Sequence, residues 1–276
     1  MTTAFNEQSH LAEAIRRLEN TADPRLKEIM AAFSRHMFAF INEVKPSEAE
    51  WMKGIEFLTA IGQMCNDVRQ EWILFSDAFG VTMLVDYHNH RAHGAETESS
   101  VLGPFYREGA PEYAPGETIS QDGEGEPVVL AGRVADADGR PIAGARVDIW
   151  QTAPNGLYEV QDANQPEFNL RGVFRTDAEG RYLARTVKPV SYPIPDDGPV
   201  GKLLGAVGRH PFRPAHIHFI VAADGYEPVV TQLFTDDDVY LDSDAVFGVK
   251  NSLVVNYRPD GDGYRVDYDF VLKRAS

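Results

Sequence analysis

The hydrophobic period of this chain changes once along its length, and that change limits the folds open to it more than any other feature. From about residue 8 to residue 91 the apolar residues recur at helical spacing, as in Leu26, Ile29, Met30, Phe33, Met37, Phe40 or Ile41, and Val44. Asp23-Pro24 reads as an N-cap followed by proline at the first helical position, and Ser47 with Glu50 reads as a capping box after Pro46. These stops and starts predict three or four helices. A further helical run through 67–90 breaks near Gly80, and its apolar content exceeds one stripe, which predicts packing on two sides.

Residues 92–127 carry the Gly and Pro punctuation of a connector, ending in the acidic loop "SQDGEGEP". Beyond it the period is two. "PVVLAGRVADADGRPIAGARVDIWQT" predicts strand, turn at Asp138-Gly139 and strand, and "GVFRTDAEGRYLARTV" repeats the pattern around Glu179-Gly180. "HIHFIVAAD", "VVTQLF", "SLVVNY" and "YRVDYDFVL" supply further strands. Short strands with no helical pattern between them predict a sandwich or barrel. The expected architecture is α+β in sequence order, with a helical domain over 1–100 and an all-β domain over 101–276.

Composition excludes several function classes. Hydrophobic residues at 43% and charged residues at 25% of 276 are globular values that supply a substantial core. With 42 acidic against 26 basic residues the formal charge is −16, which repels phosphate backbones and anionic lipid, so no nucleic-acid partner is expected. The start, MTTAFNEQSH, lacks a basic segment followed by an apolar one, and no stretch approaches the roughly 18 apolar residues of a membrane span. The expected location is cytoplasmic. Cys65 is the only cysteine, so no intramolecular disulfide and no thiolate cage can form; it reads as a small buried apolar residue.

The chemistry concentrates in "RPAHIHF". On a strand His216 and His218 point to the same face with Cα atoms ~7 Å apart, so both rings can converge on one metal ion. The plainer reading is two part-buried rings satisfied by backbone. A helical zinc-protease motif is absent, and so is the nearby carboxylate of a two-histidine, one-carboxylate iron site, Glu227 being distant. Pro211 and Pro214 leave the placement of His210 open. The remaining hard anionic candidates are carboxylates and the 11 tyrosines. A phenol ionises near pH ~10, so a strongly Lewis-acidic ion such as ferric iron would be needed to hold it as phenolate. Composition does not say which tyrosines serve.

"DIWQTAPNGLYEVQD", "GVFRTDAEGRYLARTVKPVSYPIP", "RPAHIHFIV" and "TQLF", in this order and spacing, resemble the intradiol catechol dioxygenase family, and the likeness extends through "SVLGPFYREGAP" into the helical half. The resemblance implies one Fe(III) per subunit held by Tyr158, Tyr192, His216 and His218, with water or hydroxide as fifth ligand. It implies a helical linker domain that forms a homodimer and can hold a phospholipid-like molecule, followed by a β-sandwich catalytic domain. In such a site Tyr192 is the ligand that leaves and takes a substrate proton. Arg213 stands beside the substrate ring, its plainer reading being a surface ion pair. By the same resemblance Gln232 would orient ligands or the anhydride oxygen, its plainer reading being a strand-edge polar residue.

The substrate positions implied by the resemblance are Leu74, Asp77, Val101, Leu102, Gly103, Pro104 and Phe105. "SVLGPFY" looks more like the hydroxyquinol-cleaving branch of the family than the catechol branch. Asp77 could accept a hydrogen bond from the third hydroxyl of benzene-1,2,4-triol; its plainer reading is a local contact beside Ser76. The implied reaction is cleavage of a small aromatic diol or triol by dioxygen. Hydroxyquinol would give 3-hydroxy-cis,cis-muconate and maleylacetate, and catechol would give cis,cis-muconate. A different class, a non-catalytic transthyretin-like binding sandwich, lacks the joint Tyr/Tyr/His/His set.

Overall fold

The computed structural model describes residues 6–66, 69–92 and 94–275. The chain forms two compact units, Met1–Ala60 and Ile61–Ser276. In the first, helix α1 (Glu7–Arg16) starts at Asn6, whose side chain accepts from Ser9 N at 2.8 Å. Helix α2 (Pro24–Val44) starts as predicted, with Asp23 Oδ1 accepting from the amides of Arg25 and Leu26, and it ends on Lys45 in the left-handed region. Helix α3 (Glu48–Met64) opens on the predicted capping box: Ser47 N donates to Glu50 Oε2 at 2.8 Å, and Glu50 N donates to Ser47 Oγ at 3.3 Å. Along α2 the side chains of Leu26, Ile29, Phe33, Met37, Phe40 and Val44 are exposed.

The second unit takes in the end of α3 from Ile61, then α4 (Glu71–Ala78) and α5 (Val81–Asn89), divided at Gly80, whose φ of 75° ends one helix and caps the next. The predicted run began at Asp67, which with Val68 lies outside the described residues. These two helices belong with the strands in the second compact unit. Glu71, fully buried, accepts from Val200 N at 3.1 Å, and Ser99 donates to Asp86 at 2.7 Å. Cys65 is half-buried, its thiol donating to Ile61 O.

The strands are β1 (Pro127–Asp136), β2 (Arg146–Trp150), β3 (Arg171–Arg175), β4 (Arg181–Val187), β5 (Tyr192–Pro193), β6 (Phe212–Arg213), β7 (His216–Ala222), β8 (Val229–Thr235), β9 (Val254–Val255), β10 (Arg258–Asp260), β11 (Gly263–Asp267) and β12 (Phe270–Leu272). Among the described residues they make a sandwich of two five-stranded sheets. One has the order β10-β11-β1-β12 with β4 on β1, the other β3-β2-β7-β8-β9, and β5-β6 form a separate ribbon. Helix α6 (Pro199–Ala206) interrupts the strands. Strand alternation did not predict it, because an eight-residue "PVGKLLGA" with two glycines is too short to show a helical period.

The two predicted turns are present but join strands of opposite sheets instead of closing hairpins. Asp136 Oδ1 accepts from the amides of Asp138 and Arg140, and Asp177 Oδ1 from those of Glu179 and Arg181. Each aspartate thereby fixes a tight Asp-x-x-Gly turn, with Gly139 and Gly180 at positive φ. The chain then crosses from β1 to β2 and from β3 to β4 around the core, where Ile217, Phe219 and Val221 of β7 meet Val128, Leu130 and Val134 of β1. Each such side chain removed from water contributes ~1.5–3 kcal/mol, which pins the register of β7 and therefore the facing of its other residues. Among the described residues no helix is long and apolar enough to cross a membrane.

Candidate metal centre and substrate cavity

With Ile217, Phe219 and Val221 committed to the core, the period of two turns His216 and His218 to the outer face of the sheet. Their Nε2 atoms lie 3.2 Å apart. Trp150, opposite His218 on β2, stacks on its ring with centroids 4.7 Å apart. Tyr158 enters from the residue before a single 3-10 turn (Glu159–Gln161), its ring stacked on Phe105 at 4.7 Å. Tyr192 enters from β5, paired with Arg213 of β6.

The four polar atoms converge. Tyr158 Oη lies 3.0 Å from Tyr192 Oη and 2.9 Å from His218 Nε2, and Tyr192 Oη lies 3.3 Å from His216 Nε2. With the 3.2 Å between the imidazoles, these edges match donors sharing one ion about 2 Å from each. Among the described residues no three His, Cys, Asp or Glu side chains cluster as a metal cage. Half of this donor set is phenol.

Protonation states suit a strong Lewis acid. Burial first, then the Arg213 charge, pushes His216 down to about 3, and burial with His216 and Arg213 drives His218 well below the ordinary imidazole range. Both rings are therefore neutral near neutral pH. The His216 Nδ1 proton goes to Pro214 O at 2.7 Å, leaving Nε2 its lone pair. Burial holds Tyr192 above the ordinary phenol range, and burial together with Tyr192 raises Tyr158 well above it. Only a cation of high charge reverses that preference in so dry a place, and hard oxygen with imidazole nitrogen is a donor set suited to iron and poor for soft ions.

Arg213 is 3% exposed, buried beside the donors and not on the surface. Gln232 faces His218 across the β7–β8 ladder. Its Oε1 accepts from Arg213 Nη2 at 2.8 Å, and its Nε2 donates to Val101 O at 2.6 Å and stands 3.3 Å from His218 Nδ1. It is fully buried and not a strand-edge polar residue.

A small cavity opens on the donors. Leu74, Asp77, Val101, Gly103, Pro104 and Phe105 all line it. Leu102 does not: it is 41% exposed and borders a neighbouring groove with Asp86 and Ser99. Ile194, Pro195 and Val246 complete the wall and were not anticipated. A side chain at Gly103 would be strained, because its φ is +75° and a Cβ there would lie 3.2 Å from His218 Cε1. Asp77 is 5% exposed, and its Oδ1 has no hydrogen-bond partner among the described residues. Ser76 instead pairs with Thr82 at 2.8 Å. Burial raises Asp77 above the usual carboxyl range.

A β-sandwich here gathers two phenols and two imidazoles beside a small cavity that Asp77 and Arg213 also line. The chain belongs to the intradiol ring-cleavage dioxygenases, a family of non-haem iron enzymes: residues 101–274 match the profile described as Dioxygenase, and residues 23–97 match that described as Catechol dioxygenase N terminus. It is 52% identical to a hydroxyquinol 1,2-dioxygenase of Rhizobium sp. (strain MTP-10005), over 98% of this chain and 96% of the relative. It is 50% identical to a 6-chlorohydroxyquinol 1,2-dioxygenase of Cupriavidus pinatubonensis, over 96% of this chain and 97% of the relative. The crystal structure of hydroxyquinol 1,2-dioxygenase from Pseudomonas putida DLL-E4 superposes with a TM-score of 0.93 at 48% identity, covering 98% of this chain and 99% of that one.

Proposed function

We propose that this chain cleaves hydroxyquinol, benzene-1,2,4-triol, between its adjacent hydroxyls with dioxygen, giving 3-hydroxy-cis,cis-muconate and from it maleylacetate. The observation that carries the reading is the convergence of Tyr158, Tyr192, His216 and His218 beside a cavity whose buried Asp77 oxygen lacks a partner. One Fe(III) per subunit, held by those four donors, would supply a Lewis acid that chelates the two adjacent hydroxyls and makes the ring reactive toward dioxygen.

The chain's own residues do the rest. Tyr192 sits on a two-residue strand and touches both Tyr158 and His216; were the ion to hold it as phenolate, its oxygen would be placed to accept one proton of the incoming diol. Tyr158, clamped under Phe105, stays. Phe105, Ile194, Pro195 and Val246 exclude water and hold the ring flat. Arg213 presents a permanent charge where electron density builds on the ring. Gln232 holds His218 and Arg213 in register. Asp77 accepts from the third hydroxyl, a contact catechol lacks. In the helical unit, an apolar groove of about 730 Å³, lined by Met37, Phe40, Ile41, Trp51, Ile55 and Leu58, supports a homodimer contact and a phospholipid-like guest.

Initial oxygen uptake by the iron-replete protein, corrected for autoxidation, is expected to show kcat/KM higher for hydroxyquinol than for catechol. Preference for catechol would move the product to cis,cis-muconate, and uptake with neither would end the assignment. Asp77→Asn is expected to lower the hydroxyquinol-to-catechol ratio of kcat/KM by about 10- to 150-fold, since a hydrogen bond to a charged acceptor is worth roughly 1.5–3 kcal/mol. An unaltered ratio would remove Asp77 from the recognition of the triol.

A further inference from the structure

The loop between β8 and β9 holds a buried carboxylate that sequence reasoning did not single out. Asp244 is 5% exposed, and its oxygens grip Arg213 as a fork: Oδ1 accepts from Nε and Oδ2 from Nη2, each at 3.0 Å. Its remaining acceptor sites take the amides of Val246 at 3.2 Å and Gly248 at 2.9 Å. Nη2 also donates to Gln232 Oε1, so Nη1 is the group left facing the donor cluster, 3.0 Å from His216 Nε2.

We infer that Asp244 is the positioning residue for Arg213, fixing the guanidinium so that Nη1 and its charge face the reacting ring. The inference rests on the function proposed above. The fit is close on every side. Gly248 admits no Cβ, which would stand 2.8 Å from Arg213 Nη2, and Phe247 is held at a φ of 59°, a left-handed conformation that costs a non-glycine residue energy. A buried guanidinium with one edge fully engaged cannot swing away to solvent. Burying two charges is costly unless the geometry is good, and here the carboxylate accepts from two guanidinium nitrogens along one edge and from two amides.

The test uses iron-replete protein carrying Asp244→Asn, Arg213→Gln, or both. Asp244→Asn is expected to lower kcat for the triol by about 10- to 100-fold, the usual cost of losing an orienting partner, with KM and iron content little changed. In the Arg213→Gln background the same substitution is expected to change kcat less than about threefold, the non-additivity of two residues acting as one. A crystal structure of metal-free Asp244→Asn should show Nη1 displaced from His216 Nε2. Wild-type kcat in folded Asp244→Asn, an equal loss in both backgrounds, or an unmoved guanidinium would each overturn the inference. Should Asp244→Asn not fold, Asp244→Glu keeps the charge but pushes the carboxylate one methylene into Arg213; a fall in kcat at constant KM is expected, and full kcat would overturn it. Absence of wild-type turnover with triol and catechol would instead count against the proposed function.

Discussion

Tyr158→Phe, purified with iron, is expected to lose most of its visible phenolate-to-iron absorption and at least about a hundredfold of its turnover. Losing an outer partner of a metal ligand costs roughly 10- to 100-fold, so losing the donor atom itself belongs at or beyond the upper end. The ring cannot shift to compensate. Phe105 stacks on it at 4.7 Å, Tyr192 meets it edge-on, and the Arg171 guanidinium lies 5.7 Å from its centroid. Phenylalanine fits the same slot, so the fold should survive and the spectrum becomes the discriminating measurement. An unchanged spectrum in a folded, iron-replete variant would take Tyr158 off the donor set.

What could be read from the sequence followed from how local the signal was. The helix-to-strand change, the caps at Asp23 and Ser47 and the break at Gly80 are all set within a few residues, and the structure has each of them. The same locality exposed His216 and His218, because a period of two fixes their common face once their neighbours enter the core. It did not show where the chain goes after each Asp-x-x-Gly turn, because a tight turn looks alike whether it closes a hairpin or crosses between sheets. Phenol donors were invisible to spacing: Tyr158 and Tyr192 are 34 residues apart and meet through tertiary packing. The family resemblance singled them out.

Asp244 stayed hidden for a related reason. It is one of many acidic residues in a chain of net charge −16, 31 residues from Arg213, and nothing in "LDSDAVFG" distinguishes it from a solvated loop. Its role emerges only with burial and bidentate geometry. Leu102 is the converse case. Its neighbours line the cavity, so it reads as part of the same wall, yet its side chain is 41% exposed while Val101 is buried against the cavity.

Glu159→Ala is expected to destabilise the second unit by about 3–5 kcal/mol, the cost of stranding one member of a buried ion pair. Arg171 is 1% exposed and donates from Nε to Glu159 Oε2 at 2.6 Å, while its Nη1 and Nη2 make no hydrogen bond among the described residues. Removing the glutamate would leave a guanidinium with no carboxylate beneath Tyr158. At roughly 2–4 °C per kcal/mol in a domain of this size, the melting temperature should fall by about 6–20 °C. The exposed pair Arg175–Glu112, 52% and 57% accessible, gives the control: Glu112→Ala should cost less than about 1 kcal/mol. Replacing both buried partners, Glu159→Leu with Arg171→Met, should recover part of the loss, because neither charge is then left unpaired. A melting temperature for Glu159→Ala as close to wild type as that of Glu112→Ala would mean that water reaches the guanidinium, and that the turn carrying Tyr158 is held by packing on Phe105 instead of by charge.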